Sequence, residues 1–253
     1  MKIILSPAKK MIADTDSIAP VGLPDFIDKT VEILNWMKSK SKEELKAIWK
    51  CNDKIAEQNF NRLENMNLYG MLTPAVLSYE GIAFQYMAPS VFESRQFDYI
   101  QNHLRILSAF YGVLKPMDGV APYRLEMQAK AEIEDKKSLY DYWGDKLYHS
   151  VIDDSRVIIN LASKEYSKCI EKYLSDKDKY ITITFCEQSG NKLVTKGTYA
   201  KMARGEMVRF MAENRIENPE DIKKFDRLGY SFRSDLSSDA EYVFERKTEI
   251  TSC

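Results

Sequence analysis

The sequence predicts an α+β fold: a single domain in which a mixed β-sheet is surrounded by helices. Three observations carry that prediction. Short apolar or β-branched runs recur at Lys2–Ser6, Arg156–Leu161, Tyr180–Phe185 and Glu241–Arg246, and such runs read as buried strands. Between them lie longer stretches with apolar residues at helical spacing. The 253 residues hold no internal repeat and no linker rich in Gly, Ser or Pro. One domain over residues 1–247 is therefore the economical organisation, and the polar tail 248–253 is expected to be disordered.

The first strand, Lys2-Ile-Ile-Leu-Ser6, runs straight into Pro7-Ala-Lys-Lys10. Ser6 and Lys9 then stand at a strand's C-terminal end, where open α/β sheets bind ligands, although a solvated surface turn has the same local pattern. Pro24 suits a first helical position, with Phe26, Val31, Leu34 and Met37 following at roughly helical spacing. Ser41 and Glu44 form a capping box for a helix through Trp49. Asn52 caps another reaching Met66, with Ile55, Phe60 and Leu63 inward. Thr73-Pro74 opens a further short helix, and Tyr79–Phe84 follows. This region is expected to be scaffold or one wall of a cleft, with no chemistry of its own.

A second helix-spaced run, about Phe97 to Phe110, sets Ile100, Leu104, Leu107 and Tyr111 close to one face. Gly112 is placed to end it as a left-handed C′ residue, and Pro116 prevents simple continuation. From the stiff turn Gly112–Pro122 emerge Lys115, Asp118, Tyr123, Arg124 and Glu126, interleaved with Val113, Leu114, Met117 and Leu125. Charges this closely mixed with apolar groups form either a buried salt-bridge corner, Arg124 neutralising Asp118 or Glu126, or the wall of a cleft.

Ala129–Lys137 is a charged loop or hairpin. Ser138 opens a helix through Leu147 and Val151, with Trp143-Gly144 inside it as a tight contact. The strand Arg156–Leu161 ends in Asn160 and Ser163, polar groups at a strand-to-helix junction, and Ser163 suits the N-cap of Lys164–Leu174. Tyr180–Phe185 and Lys192–Thr195 form a hairpin across Ser189-Gly190-Asn191. The helix Thr198–Arg215 separates its residues by charge. Ala203, Met207, Phe210 and Met211 fall between roughly 180° and 280° from Lys201, whereas Lys201, Arg204, Arg209 and Arg215 fall between roughly −60° and +80°. Gly205 and Ala212 lie within the basic arc, a small-residue centre that suits close approach of a phosphate backbone, or helix packing. Asn218-Pro219 opens a last short helix, and Glu241–Arg246 is the closing strand.

Several motifs carry a resemblance. Tyr111-Gly-Val-Leu-Lys-Pro-Met-Asp118, Pro122-Tyr-Arg-Leu-Glu-Met127, Leu5–Lys10, Tyr142–Asp145, Val157–Tyr166 and Tyr199–Gly205 occur in the order found in the YaaA family, the peroxide stress proteins, which the chain resembles over nearly its whole length. The resemblance implies a cytoplasmic protein that protects against hydrogen peroxide, lowers free iron and binds duplex DNA in a cleft with a helix-hairpin-helix element, here near 97–127. The chain departs from relatives in having Lys10 where they usually carry Thr, and Gly81-Ile82 where they usually carry Gly-Asp.

Composition limits the function classes. A net charge of −1 does not mark a nucleic-acid binder, so any DNA binding must rest on local segregation of charge. Cys51, Cys169, Cys186 and Cys253 have no metal or CxxC spacing, which suits a reducing compartment. His103 and His149 have no ligand spacing, so neither a metal centre nor a cofactor is expected. No apolar stretch is long enough to span a membrane. Oligomeric state has no signal.

The cations that match the family pattern are Lys9, Arg105, Lys115, Arg124, Lys201, Arg204 and Arg209, beside the acids Asp118 and Glu126. If they converge, they form a basic, acid-punctuated cleft, with Ser6, Asn160 and Ser163 at its strand ends and Tyr111, Tyr123 and Tyr166 as aromatic contacts. The first reading is a DNA-binding stress protein. The second is an enzyme in the same cleft, with Lys9 or Lys201 as nucleophile or base and Asp118 or Glu126 as acid–base partner.

Overall fold

The computed structural model describes residues 1–190 and 192–247. Its strands are β1 (Lys2–Leu5), β2 (Thr73–Pro74), β3 (Leu104–Ser108), β4 (Gly112–Leu114), β5 (Gly119–Val120), β6 (Val157–Asn160), β7 (Lys179–Ser189), β8 (Lys192–Val194), β9 (Tyr230–Phe232) and β10 (Glu241–Arg246). The helices are α1 (Ile27–Lys38), α2 (Lys42–Trp49), α3 (Asp53–Glu64), α4 (Ala75–Ser78), α5 (Ile82–Met87), α6 (Ser94–His103), α7 (Leu139–Trp143), α8 (Lys146–Val151), α9 (Lys164–Glu171), α10 (Gly197–Asn214) and α11 (Pro219–Ile222).

The sheet has the order β4-β3-β1-β6-β7-β10-β9, with β8 paired to the far end of β7. Strands β3, β1, β6, β7 and β10 are mutually parallel, and β4, β8 and β9 are antiparallel to their neighbours. Ile3, Ile4, Ile158, Ile159 and Ile181 are buried, as two-faced coverage of a parallel sheet requires. One hydrophobic core spans the described residues. The chain leaves β1 for β3 on one side and leaves β6 for β7 on the other, so the C-terminal ends of β1 and β6 flank a topological switch point, the usual ligand crevice of an open α/β sheet.

Local signals set several boundaries. Ser41 Oγ accepts from Glu44 N–H at 3.2 Å while Glu44 Oε2 accepts from Ser41 N–H at 2.7 Å, completing the capping box. Asn52, Ser138 and Asn218 cap α3, α7 and α11 through their side chains. Elsewhere the elements differ from the sequence expectation. The first helix starts at Ile27 rather than at Pro24. The helix after Ser138 stops at Trp143, because Gly144 takes a left-handed φ of +54°, and α8 is a separate element.

The largest difference lies at the centre. The helix-spaced run 97–110 is a helix only from Ser94 to His103; Leu104–Ser108 is a strand buried throughout, hydrogen-bonded between β1 and β4. Gly112 does take a left-handed φ of +78°, but within the β3–β4 hairpin rather than at a helix end. Ser108 Oγ closes that hairpin by accepting from Phe110 and Tyr111 N–H at 3.2 and 2.9 Å. Residues 97–127 thus form the end of a helix, a hairpin and the strand β5, which pairs with β2, and not a helix-hairpin-helix. A short apolar run fits both periodicities, and the unpaired edge of β1 decides for the strand. The 248–253 tail and Asn191 of the β7–β8 turn lie outside the described residues.

Candidate functional site

At the switch point lies a cleft of about 410 Å³. One wall is the turn after β1, where Ser6 and Lys9 leave the sheet. Another is the N-terminal end of α9, following β6. The remaining walls are α5, the first turns of α10 and the extended segment at Leu125-Glu126. Ser6 and Ser163 join the two strand ends: Ser163 N–H donates to Ser6 Oγ at 2.8 Å, and Ser6 Oγ–H donates to Ser163 Oγ at 3.1 Å. Ser163 occupies the N-cap position, but its hydroxyl makes no cap hydrogen bond.

The α5 wall is held by backbone pairing. Glu80 N–H donates to Lys10 O at 2.8 Å and Ile12 N–H to Ser78 O at 2.9 Å, so the turn after β1 is zipped to the segment leading into α5. Helix α5 in turn lies against α10. A Cβ at Gly205 would overlap the Ala83 carbonyl oxygen and stand 2.7 Å from its carbon. The small-residue centre of the basic arc is therefore filled by α5, and no phosphate backbone can approach there. Ala203, Met207, Phe210 and Met211 are buried, as their spacing predicts.

The charges in the cleft pair unevenly. Lys9 Nζ lies 2.8 Å from Glu126 Oε1, and Lys10 Nζ lies 2.7 Å from Glu80 Oε2. Arg124 stands behind Glu126, at 3.8 Å, with only 12% of its side chain exposed. Glu165 is held above the usual carboxylate range, by burial first and then by the neighbouring Glu126 charge, against an opposing hydrogen bond from Gln128 N–H. Lys201 and Arg204 line the cleft from successive turns of α10 with no carboxylate within ion-pair distance among the described residues. The Nε of Arg204 is buried and has no hydrogen-bond partner, and burial alone lowers its pKa. Beneath these groups Ile82, Phe84, Leu125 and Leu161 supply an apolar floor, with Tyr166 at the side.

Ser6, Lys9, Ser163, Tyr166, Lys201 and Arg204 are thus brought together, with Glu126 among them. The other residues singled out in the sequence lie elsewhere. Arg105 is buried in β3, its Nη1 donating to the carbonyls of Gln101 and Leu104, toward the opposite end of the sheet from Ser6. Lys115 is on that same end, 2.9 Å from Asp25. Asp118 is buried there, accepting from Lys115 N–H at 2.8 Å; burial pushes its pKa up to about 6. Arg209 pairs with Glu213 at 2.8 Å, in a network shared with Arg227.

Asn160, Tyr111 and Tyr123 are internally satisfied. Asn160 Oδ1 accepts from Ala162 N–H at 2.9 Å, and the Tyr111 hydroxyl bonds the Ala121 backbone. The Tyr123 hydroxyl bonds Tyr79 and Ser108 at 2.9 and 2.7 Å. None of the three lines the cleft. The seven cations therefore do not line one groove. Conversely, Lys10, Glu80, Ile82, Phe84 and Glu165 line the cleft although none is a candidate site residue from the sequence; Lys10 and Ile82 stand out only as departures from relatives, and Glu80, Phe84 and Glu165 carry no local signal.

No group of three or more His, Cys, Asp or Glu side chains among the described residues is arranged to hold a metal ion. No helix among them is long and apolar enough to cross a membrane.

A family model described as peroxide stress protein YaaA matches residues 1–236. The chain is 85% identical over 247 residues to a UPF0246 protein of Agathobacter rectalis, covering 98% of this chain and 99% of the relative. It is 54% identical to a UPF0246 protein of Lachnoclostridium phytofermentans, covering 96% of each. A UPF0246 protein of Pediococcus pentosaceus is 50% identical, covering 96% of this chain and 97% of the relative. With its order of motifs matched from end to end, the chain belongs to the peroxide stress protein YaaA family.

Proposed function

We propose that this cytoplasmic protein of the peroxide stress response binds duplex DNA, engaging phosphate in the switch-point cleft through Arg204 and Lys201. The observation that carries this reading is Arg204, half-buried in the cleft, whose Nε is buried without a hydrogen-bond partner and which has no acid partner among the described residues. A partly desolvated charge without a counterion is unfavourable, and an anion in the cleft would offset that cost. Cations that neutralise phosphates also displace counterions condensed on the duplex. Displacing iron from that layer would link DNA binding to protection from iron-driven damage.

The alternative of a lysine nucleophile needs a desolvated amine. Lys9 has 65% of its side chain exposed and is paired with Glu126, and Lys201 is exposed, so binding is the better-supported reading.

The test is DNA affinity as a function of salt. The log–log slope should be about −0.9 per phosphate contacted, and Arg204→Ala should make it shallower by about one. Arg209→Ala, whose guanidinium is held by Glu213, should leave the slope unchanged. Affinity that ignores salt, or an Arg209 effect equal to that of Arg204, would overturn the reading.

A further inference from the structure

The cleft is a pocket rather than a groove, and its size limits what can enter. Its 410 Å³ falls within the roughly 300–1,000 Å³ of small-molecule sites. A duplex whose major groove alone is about 12 Å wide cannot be enclosed by it. Three kinds of surface meet inside. Lys201 and Arg204, three residues apart on one helix face, are the cleft cations without acid partners among the described residues. Ile82, Phe84 and Leu125 form a floor with no polar side-chain atom. Glu126, paired with Lys9, and Glu165 line the same cleft as acceptors.

Each surface excludes a simpler ligand. Inorganic phosphate would leave the apolar floor empty. An aliphatic acid would set its chain against the carboxylates. A nucleotide uses all three surfaces: phosphate on the cations, the flat face of the base on the floor, and base amino or sugar hydroxyl groups donating to the glutamates.

We infer that the cleft takes one nucleoside monophosphate unit, with its phosphate on the forked donors of Arg204. The inference rests on the DNA-binding reading only for the source of that unit, which is either a free nucleotide or a nucleotide extruded from a strand. Extrusion is least costly where the base is mismatched, damaged or unpaired. A protein built this way holds DNA at the places where its stacking has already failed.

The experiment measures binding by calorimetry with a nucleoside 5′-monophosphate, the matching nucleoside and inorganic phosphate, and by anisotropy with a fully paired duplex and the same duplex carrying one bulged nucleotide. The monophosphate should bind at least about tenfold more tightly than nucleoside or phosphate alone, since one charge-assisted contact accounts for that factor. The bulged duplex should be preferred over the paired one, and free monophosphate should compete with it.

Arg204→Ala should abolish the difference between monophosphate and nucleoside, and Arg204→Lys should restore only part of it. Because the arginine has no partner to leave stranded, both variants should melt at or above the wild-type temperature. A variant that fails to fold would make Arg204 a structural residue and overturn the assignment. Tight, salt-dependent binding to paired duplex with no monophosphate binding would overturn the pocket inference alone. Monophosphate binding with no affinity for any DNA would support the pocket and overturn the duplex reading.

Discussion

At the scale of single residues, two desolvated charged groups behave oppositely. Arg204, half-buried in the cleft, lacks an acid partner among the described residues, whereas the buried Asp118 accepts a backbone hydrogen bond in the central turn and remains costly to ionise. Its folded pKa of about 6 lies above the ordinary 3.8. Between about pH 4 and pH 6 the folded state therefore binds the proton that the unfolded state has released. Stability must fall as pH rises through that window, by up to about 3 kcal/mol. Asp118→Asn keeps an acceptor for Lys115 N–H and removes the charge. The variant should have a higher urea midpoint than wild type at pH 8, with the gap closing by pH 4. A lower midpoint at pH 8 would mean that Arg105 and Lys115 hold the carboxylate as a stabilising charge. The buried thiols offer no comparable chemistry: burial pushes Cys169 up to about 12 and raises Cys186 as well, so neither forms the reactive thiolate of a peroxide sensor.

At the scale of elements, the contact between α5 and α10 positions the cleft. Gly205 sits where the α5 backbone touches α10, and the same two helices supply Ile82, Phe84, Lys201 and Arg204 to the walls. Gly205→Ala gains up to about 1 kcal/mol of helix propensity, but it must push α5 away from α10. Overpacking of this kind costs about 1–3 kcal/mol, and here backbone rather than a flexible side chain must move. A net loss of stability together with weakened ligand binding is expected, read from denaturant midpoint and DNA anisotropy on the same sample. An alanine variant as stable as wild type would show that the two helices separate freely. Of the two readings of Gly205, helix packing holds and phosphate approach does not; close packing and close ligand approach have one sequence signature.

At the scale of the whole molecule, five of the seven family-matching cations divide between the two ends of the sheet. Lys9, Lys201 and Arg204 stand at the C-terminal ends of β1 and β6, while Arg105 and Lys115 stand toward the N-terminal ends of β1 and β3. A net charge of −1 leaves no general attraction for DNA, so affinity must depend on which end is altered. Lys201→Glu should weaken duplex binding by at least about tenfold, as a reversed charge beside phosphate requires. Lys115→Glu, an equal change in net charge at the other end, should leave it within about twofold. Equal losses from the two variants would indicate a binding surface that wraps the molecule.

The sequence by itself determined the strands built on apolar or β-branched runs, the helix starts with side-chain caps, the apolar stripe of α10, and the two strand ends that carry Ser6 and Ser163. These follow from nearest-neighbour chemistry: periodicity, capping and the two-faced burial of parallel strands. Tertiary structure alone decided that Leu104–Ser108 is a strand, because only the unpaired edge of β1 distinguishes it from one more turn of helix. It also decided which charges meet. Lys10 finds Glu80 across 70 residues, and Lys9 finds Glu126 across 117, whereas Asp118, eight positions before Glu126, is carried to the opposite end of the sheet. Charge pairing over such separations is set by chain topology, and no local pattern of residues encodes it.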